Sequence, residues 1–291
     1  MCDEKTELDN DAYEARHGIS RRAVGKAAAF GSLGIAALSQ PAAADGLVEQ
    51  DVKVPTPDGE ADAYFVHPSE GAHAGVLIWP DILGLRPAFR SMGARLASAG
   101  YAVLVVNPYY RTQAAPVVGE GASFRDKATR DKVLPLARSL SAETNKTDAK
   151  AFVDYLDAQD AVDKGRKIGT TGYCMGGPII MRTAAAVPDR VGAACSYHGG
   201  GLVTDKPDSP HLLIPQMKAQ LLIAVADNDD ERDPNAKLVL REWFDKHGLQ
   251  AEIEVYEGAM HGWCVLDSRV YNHEPAEKAW ARTLALFKRA L

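Results

Sequence analysis

The sequence predicts an α/β protein: a mainly parallel sheet with helices on both faces. Three observations predict it. Short continuous apolar runs, GVLIWP (75–80) and YAVLVVNP (101–108), read as strands buried on both faces. Stretches with helical spacing, such as RPAFRSMGARLASAG (86–100) with its terminal glycine, lie between most of the strands. The two patterns alternate along the chain, which is the order that builds a parallel sheet through helical crossovers.

Taken in order, DVKVPTPDGEADAYFVHP (51–68) alternates apolar and polar residues around Asp58-Gly59, a hairpin signal. The two buried strands at 75–80 and 101–108 enclose the helix at 86–100. A polar stretch, 111–127, reads equally as an insertion over the site or as a plain surface loop. Helical material follows from about 130 to 162. Strands recur at roughly 167–173, 191–198, 220–226 and 251–257, and NHEPAEKAWARTLALFKRAL (272–291) closes the chain as an amphipathic helix. Ligands of such sheets bind beyond the carboxyl ends of the strands. The residues to inspect are therefore Asp81, Asn107, Cys174, His198, Asp227 to Asp230 and the loop around His261.

The first 44 residues read differently. Ser20-Arg21-Arg22-Ala23-Val24-Gly25-Lys26 precedes the weakly apolar AAAFGSLGIAALS (27–39), and Ala42-Ala43-Ala44 forms a small-x-small cut site. A charged region, a short apolar run and an A-x-A end together read as an export signal cleaved after Ala44. The paired arginines resemble a twin-arginine signal, an address read by export machinery and not a membrane anchor. The expectation is an exported, periplasmic or secreted protein of residues 45–291, folded as one α/β domain. Apolar residues make up 46% and charged residues 25%, enough to bury a real core, and the net charge of −6 argues against a nucleic-acid partner. No metal-ligand spacing or phosphate-binding glycine loop occurs, so no cofactor is expected. Of the four cysteines, Cys174, Cys195 and Cys264 follow the predicted cut, an odd number with no C-x-x-C pair.

The chemistry centres on GYCMGG (172–177). A nucleophile at a strand-to-helix junction sits on a tight turn, and its neighbours must be small. Gly172 and Gly176 meet that need, giving a cysteine version of the G-x-S-x-G nucleophile elbow. The helix that follows points its amides and partial positive charge at the sulfur, which favours thiolate. A base and an orienting acid are then required, in the chain order nucleophile, acid, histidine. The strand QLLIAVA ends in Asp227-Asn228-Asp229-Asp230, and EIEVYEG is followed by Ala259-Met260-His261-Gly262-Trp263. His261 reads as the base and Asp229 as its acid, with Asp227 and Asp230 as substitutes. His198, at another strand end, is the rival histidine or a polar lining of the cleft. The Met175 amide and the Ile82 amide of WPDILG (79–84) are placed to receive an oxyanion.

With these pieces in order, the chain resembles the dienelactone hydrolase family, α/β-hydrolases with a Cys-Asp-His triad. The resemblance runs from about residue 50 to the end. It rests on PDILGL (80–85), AGYAVLVVNPYYR (99–111), GYCMGG (172–177), SYHGGGL (196–202), DSPH (208–211), AVADND (224–229) and MHGW (260–263). It implies an α/β-hydrolase fold and the cleavage of small esters or lactones through a thioacyl intermediate. The implied roles are Cys174 as nucleophile, His261 as base, Asp229 as acid, and the Ile82 and Met175 amides as oxyanion hole. Well-studied members carry a glutamate at the position of Asp81 that contacts the resting cysteine; the shorter Asp81 either reaches the sulfur or only holds its loop. Dienelactone-specific members place a substrate-binding arginine where this chain has Val265. Arg111, Arg125 or Arg130 could supply that charge, and Trp263 adds an apolar wall. Two other readings remain at this point. One is a non-hydrolytic thiol redox protein that uses Cys174 with Cys195 or Cys264; the other is a silent binding protein on the same fold.

Overall fold

The computed structural model describes residues 4–17 and 46–291. The Arg21-Arg22 pair, the apolar run 27–39 and the cut site at Ala44 lie outside the described residues. Among the described residues, no helix is long and apolar enough to cross a membrane.

Eight strands form one sheet in the order β1-β2-β4-β3-β5-β6-β7-β8. The hairpin predicted around Asp58-Gly59 is β1 (Leu47–Thr56) and β2 (Gly59–Pro68), antiparallel and paired from Thr56↔Gly59 to Leu47↔Pro68. β2 also runs antiparallel to β4 (Tyr101–Val106). From β4 onward every pairing is parallel, through β3 (Ala74–Trp79), β5 (Ile168–Tyr173), β6 (Val191–Tyr197), β7 (Gln220–Ala226) and β8 (Ala251–Tyr256). Every residue of β3, β4 and β5 is buried, as their unbroken apolar or small composition requires for strands covered on both sides.

α1 (Glu4–His17) precedes the sheet. α2 (Pro87–Ser98) and α8 (His273–Ala290) cover one face of it, burying Phe89 and Leu96 from one helix and Leu286 and Phe287 from the other. α4 (Ala142–Ala158), α5 (Gly176–Ala186) and α7 (Ala236–Lys246) cover the opposite face with Phe152, Ile180 and Phe244. The helical material expected at 130–162 is two helices, α3 (Lys127–Ser139) and α4. The break falls at Ser141, whose side chain and backbone close a capping box with Thr144 and begin α4 afresh. α6 (Asp227–Arg232) is a short turn of helix directly after β7. A third apolar cluster joins Ile82, Tyr109, Val117, Phe124, Val133 and Leu136. It anchors the 111–127 stretch beside the carboxyl ends of the strands, so that stretch is a packed part of the site's surroundings.

Candidate active site

The junction of β5 and α5 has the strained geometry its glycines suggest. Cys174 has φ of 51°, a left-handed conformation that costs a non-glycine residue energy and persists only where the surroundings enforce it. The surroundings are tight. A Cβ on Gly172 would lie 2.1 Å from the Gly176 carbonyl oxygen, and one on Gly176 would lie 2.4 Å from the oxygen of Trp79. The Cys174 amide donates to the Tyr197 carbonyl at 3.0 Å, which ties the elbow to the end of β6. The sulfur is thereby presented at the start of α5, and only 2% of the residue is exposed.

His261 and Asp229 arrive from the next two strand ends. Asp229 lies in the first turn of α6, and its Oδ2 stands 2.6 Å from His261 Nδ1. This contact fixes the imidazole so that the other nitrogen, Nε2, is left for Cys174. Burial, the largest influence, disfavours the imidazolium. The charge of Asp229 and that of Cys174, each with a hydrogen bond, outweigh it and raise His261 to about 10. For Asp229, burial pushes the other way, but the charge of His261 and its hydrogen bond hold the carboxyl below its ordinary value. The neighbouring acids are otherwise engaged: Asp227 accepts from the Gly258 amide at 2.8 Å, and Asp230 pairs with Lys237. Asn228 accepts from the His261 amide at 2.8 Å and so steadies the loop from below. Of the three aspartates, Asp229, the one the sequence favours, is the one whose carboxylate meets the His261 ring.

The Asp81 carboxylate is engaged within its own loop. It accepts from the Leu83 amide at 2.9 Å and from both terminal nitrogens of Arg86, whose other edge is held by Asp267. Asp81 therefore holds the loop, the second of the two roles foreseen for it. Ile82, between these anchors, keeps its amide free of any partner among the described residues, as does Met175 at the head of α5. Two free donors beside the Cys174 elbow are the kind of arrangement that can receive a developing oxyanion.

A cavity of about 440 Å³ opens on this constellation. Cys174, His198, His261, Asp81, Ile82 and Val265 line it, together with Gly121 to Asp126 from the 111–127 stretch. Two further assignments change. Arg111 does not reach the cavity: its guanidinium is committed to Asp58 and to the buried Asp148. Trp263 is fully buried behind the site, stacked on Tyr256 and edge-on to His198, so it supports the histidine and forms no cavity wall. Of the alternative arginines, Arg125 lines the cavity, whereas Arg130 donates to the carbonyls of Phe124 and Arg125. Sequence reasoning missed Arg269 and Arg86, which also line it; neither lies in a motif. Cys195 and Cys264 are free and buried, and burial pushes the first up to about 12 and the second well above the usual thiol range. Neither is suited to act as a resolving thiolate.

Residues 61–291 match the model of the dienelactone hydrolase family. A protein of Methylorubrum extorquens named "Putative carboxymethylenebutenolidase" is 28% identical over 302 residues, covering 97% of each chain. A protein of the same name from Escherichia coli K12 is 26% identical over 252 residues, covering 84% of this chain and 88% of its own. The crystal structure of a dienelactone hydrolase from Anabaena variabilis superposes with a TM-score of 0.60 at 19% identity, over 84% of this chain and 99% of that one. That last likeness is one of fold.

Proposed function

The chain belongs to the dienelactone hydrolase family, and from that premise we propose that it hydrolyses small esters or lactones through Cys174, His261 and Asp229. The observation that carries the reading is the meeting of three strand ends. A cysteine on a strained elbow shares a cavity with a histidine whose far nitrogen is held by an aspartate at 2.6 Å.

The reaction follows from these groups. The Cys174 sulfur, as thiolate beside the His261 imidazolium, gives an electron pair to the substrate carbonyl carbon. The carbonyl π pair moves to oxygen, where the Ile82 and Met175 amides receive it. As the oxygen pair returns, the carbon–oxygen bond of the ester breaks, and His261 passes its proton to the departing alkoxide. In a lactone that alcohol stays on the acyl chain and the ring opens. Neutral His261 then takes a proton from water, whose oxygen attacks the thioester. Collapse expels Cys174 as thiolate, with the imidazolium restored. Asp229 orients the ring and stabilises its charged form throughout.

A thiolate is a strong nucleophile near neutral pH and also a good leaving group. Attack on an unactivated amide would therefore reverse, and activated esters and lactones are the fitting substrates. The chemistry needs no cofactor. The test is hydrolysis of a dienelactone and of a simple aryl ester by the full chain, with Cys174→Ala as control. Turnover of either that disappears in the variant supports the reading, and the responsive substrate fixes its class. Turnover that survives in Cys174→Ala, or its absence on both substrates, removes it.

A further inference from the structure

Among the described residues, two non-glycines have positive φ: Cys174 at 51° and His198 at 39°. They are neighbours in space. His198 follows β6 directly, and the carbonyl of the preceding Tyr197 accepts the Cys174 amide. The His198 amide is in turn fixed to Ala224 of β7 at 2.8 Å. Strain of this kind at two adjoining strand ends points to a function for both residues. The His198 ring is 1% exposed and lines the cavity, with its centroid 4.8 Å from that of His261 and edge-on to Trp263. Neither ring nitrogen meets a partner at full hydrogen-bond geometry. A buried imidazole without partners is costly unless something it faces supplies one.

We propose that His198 is a second imidazole partner of the nucleophile, giving its N–H to the Cys174 sulfur. The groups facing it are Cys174 from the elbow, His261 from the loop after β8, Asp229 from α6 and Tyr173 at the end of β5. Burial lowers the basicity of His198, and the His261 charge lowers it further, against the opposing influence of Cys174 and Asp229. The ring is therefore neutral beside the imidazolium and has one N–H to donate. The proposal rests on Cys174 being the nucleophile, but its test does not need turnover. The rate at which iodoacetamide modifies Cys174, followed by peptide mass against pH, reports the thiolate directly. His198→Phe keeps the ring and loses the N–H. It should move the acid limb of that profile up by about one pH unit, roughly a tenfold loss of thiolate below the limb. His198→Gln restores an N–H donor and should recover most of the shift. A wild-type limb in both variants would overturn the proposal.

A separate observation concerns α1. This helix is polar on almost every side, and at 14 residues it is marginal by itself in water. Its docking is the reverse of a hydrophobic one. Leu8 is 67% exposed, while Thr6 and Asn10 are buried and line the cavity with Glu7 and Glu14. Three arginines from three separate elements hold it. Arg269 meets Glu7 at 2.8 Å and Asp11 and Glu14 at 3.0 Å; Arg232 meets Asp9 at 2.8 Å and Thr6 at 3.0 Å; Arg125 lies 3.5 Å from Asp11. Among the described residues, every ion-pair partner of Arg269 lies on α1.

We infer that α1 is an intramolecular cap over the catalytic cavity, latched by Arg125, Arg232 and Arg269. Cleavage after Ala44, the processing expected from the sequence, would remove the cap together with the signal. The test uses the full chain. The quadruple change Glu7→Gln, Asp9→Asn, Asp11→Asn and Glu14→Gln removes the latch charges without touching the cavity's reactive groups. At low salt, iodoacetamide should modify Cys174 in this variant roughly tenfold faster than in the wild type. About 1 M salt, where screening reaches roughly 3 Å, should bring the wild type toward the variant. Equal rates under both conditions would remove the cap. Faster modification in a chain that hydrolyses no ester would leave the cap standing and count against the ester-hydrolase reading alone.

Discussion

Asp229 differs from its two acidic neighbours by partner alone, and that difference predicts unequal effects of otherwise identical substitutions. Its charge is the largest influence raising His261 to about 10, ahead of Cys174. Asp229→Asn removes the negative charge that favours imidazolium, so the folded histidine must titrate at lower pH. In the proposed reaction His261 protonates the leaving group, so the alkaline limb of kcat/KM should move down from about 10. The rate at neutral pH should fall by about 10²- to 10⁴-fold, the scale on which an orienting acid matters in a triad. Asp227→Asn and Asp230→Asn should leave the limb in place, because those carboxylates face the Gly258 amide and Lys237. A pH-rate profile of the three variants decides it; a common effect would remove the special place of Asp229. At this scale the sequence was informative about Cys174, with Gly172 and Gly176 two residues to either side, and His261, followed by Gly262, both after strand ends. It favoured Asp229 and kept Asp227 and Asp230 as substitutes, since one residue of register on a short helix decides which carboxylate points at the ring. It said less about Arg111, whose commitment to Asp148 is a contact across 37 residues that no local pattern announces.

The elbow depends on the closeness of whole elements, β5, α5 and β3, and the glycines are where they touch. Adding a methyl at Gly172 would meet the Gly176 carbonyl carbon at 2.5 Å and its oxygen at 2.1 Å, both backbone atoms that cannot rotate away. Gly172→Ala should therefore lower the thermal midpoint sharply, by an amount corresponding to about 3 kcal/mol or more, the upper end for overpacking. Gly119→Ala serves as the control, because no atom lies within 4 Å of a Cβ built there. Similar losses in both variants would show that the elbow is looser than drawn. The strands and most helices were legible in the sequence for a reason of the same kind. A strand covered on both faces must be apolar or small throughout, and a helix on its surface must repeat at 3.6 residues. The pattern faltered at 130–162, where one helical stretch proved to be two. Propensity is continuous across Leu140-Ser141, and only the capping contact between Ser141 and Thr144 marks the new start.

The molecule as a whole buries the His261–Asp229 pair, so its stability should report the pair's titration. Charge pairing across the chain was also what the sequence revealed least. The ion pairs of α1 with Arg232 and Arg269 span more than 200 residues and repeat with no period, and the first 44 residues read most plainly as a segment with another purpose. For the triad the signs can be worked out. His261 has an ordinary value of 6.5 and a folded value of about 10, so its interactions stabilise the fold fully below the ordinary value. That contribution declines as pH rises past 6.5 and is lost through about 10. Asp229 is held below its ordinary 3.8, so its contribution is present above that value and is lost as pH falls through the lower folded one. The two together favour mildly acidic conditions, between about 4 and 6.5. Lysines and tyrosines also titrate at high pH, so the informative quantity is a difference between variants. His261→Gln keeps a polar side chain of similar reach but cannot take up the proton. The wild type should lose thermal stability steadily from pH 7 to about 10, and His261→Gln should lose less over the same interval. Thermal midpoints of both proteins at half-unit pH steps measure this directly. Parallel curves would mean that His261 is not protonated in the resting fold, and that the first proton of the reaction must be taken from a neutral Cys174 thiol.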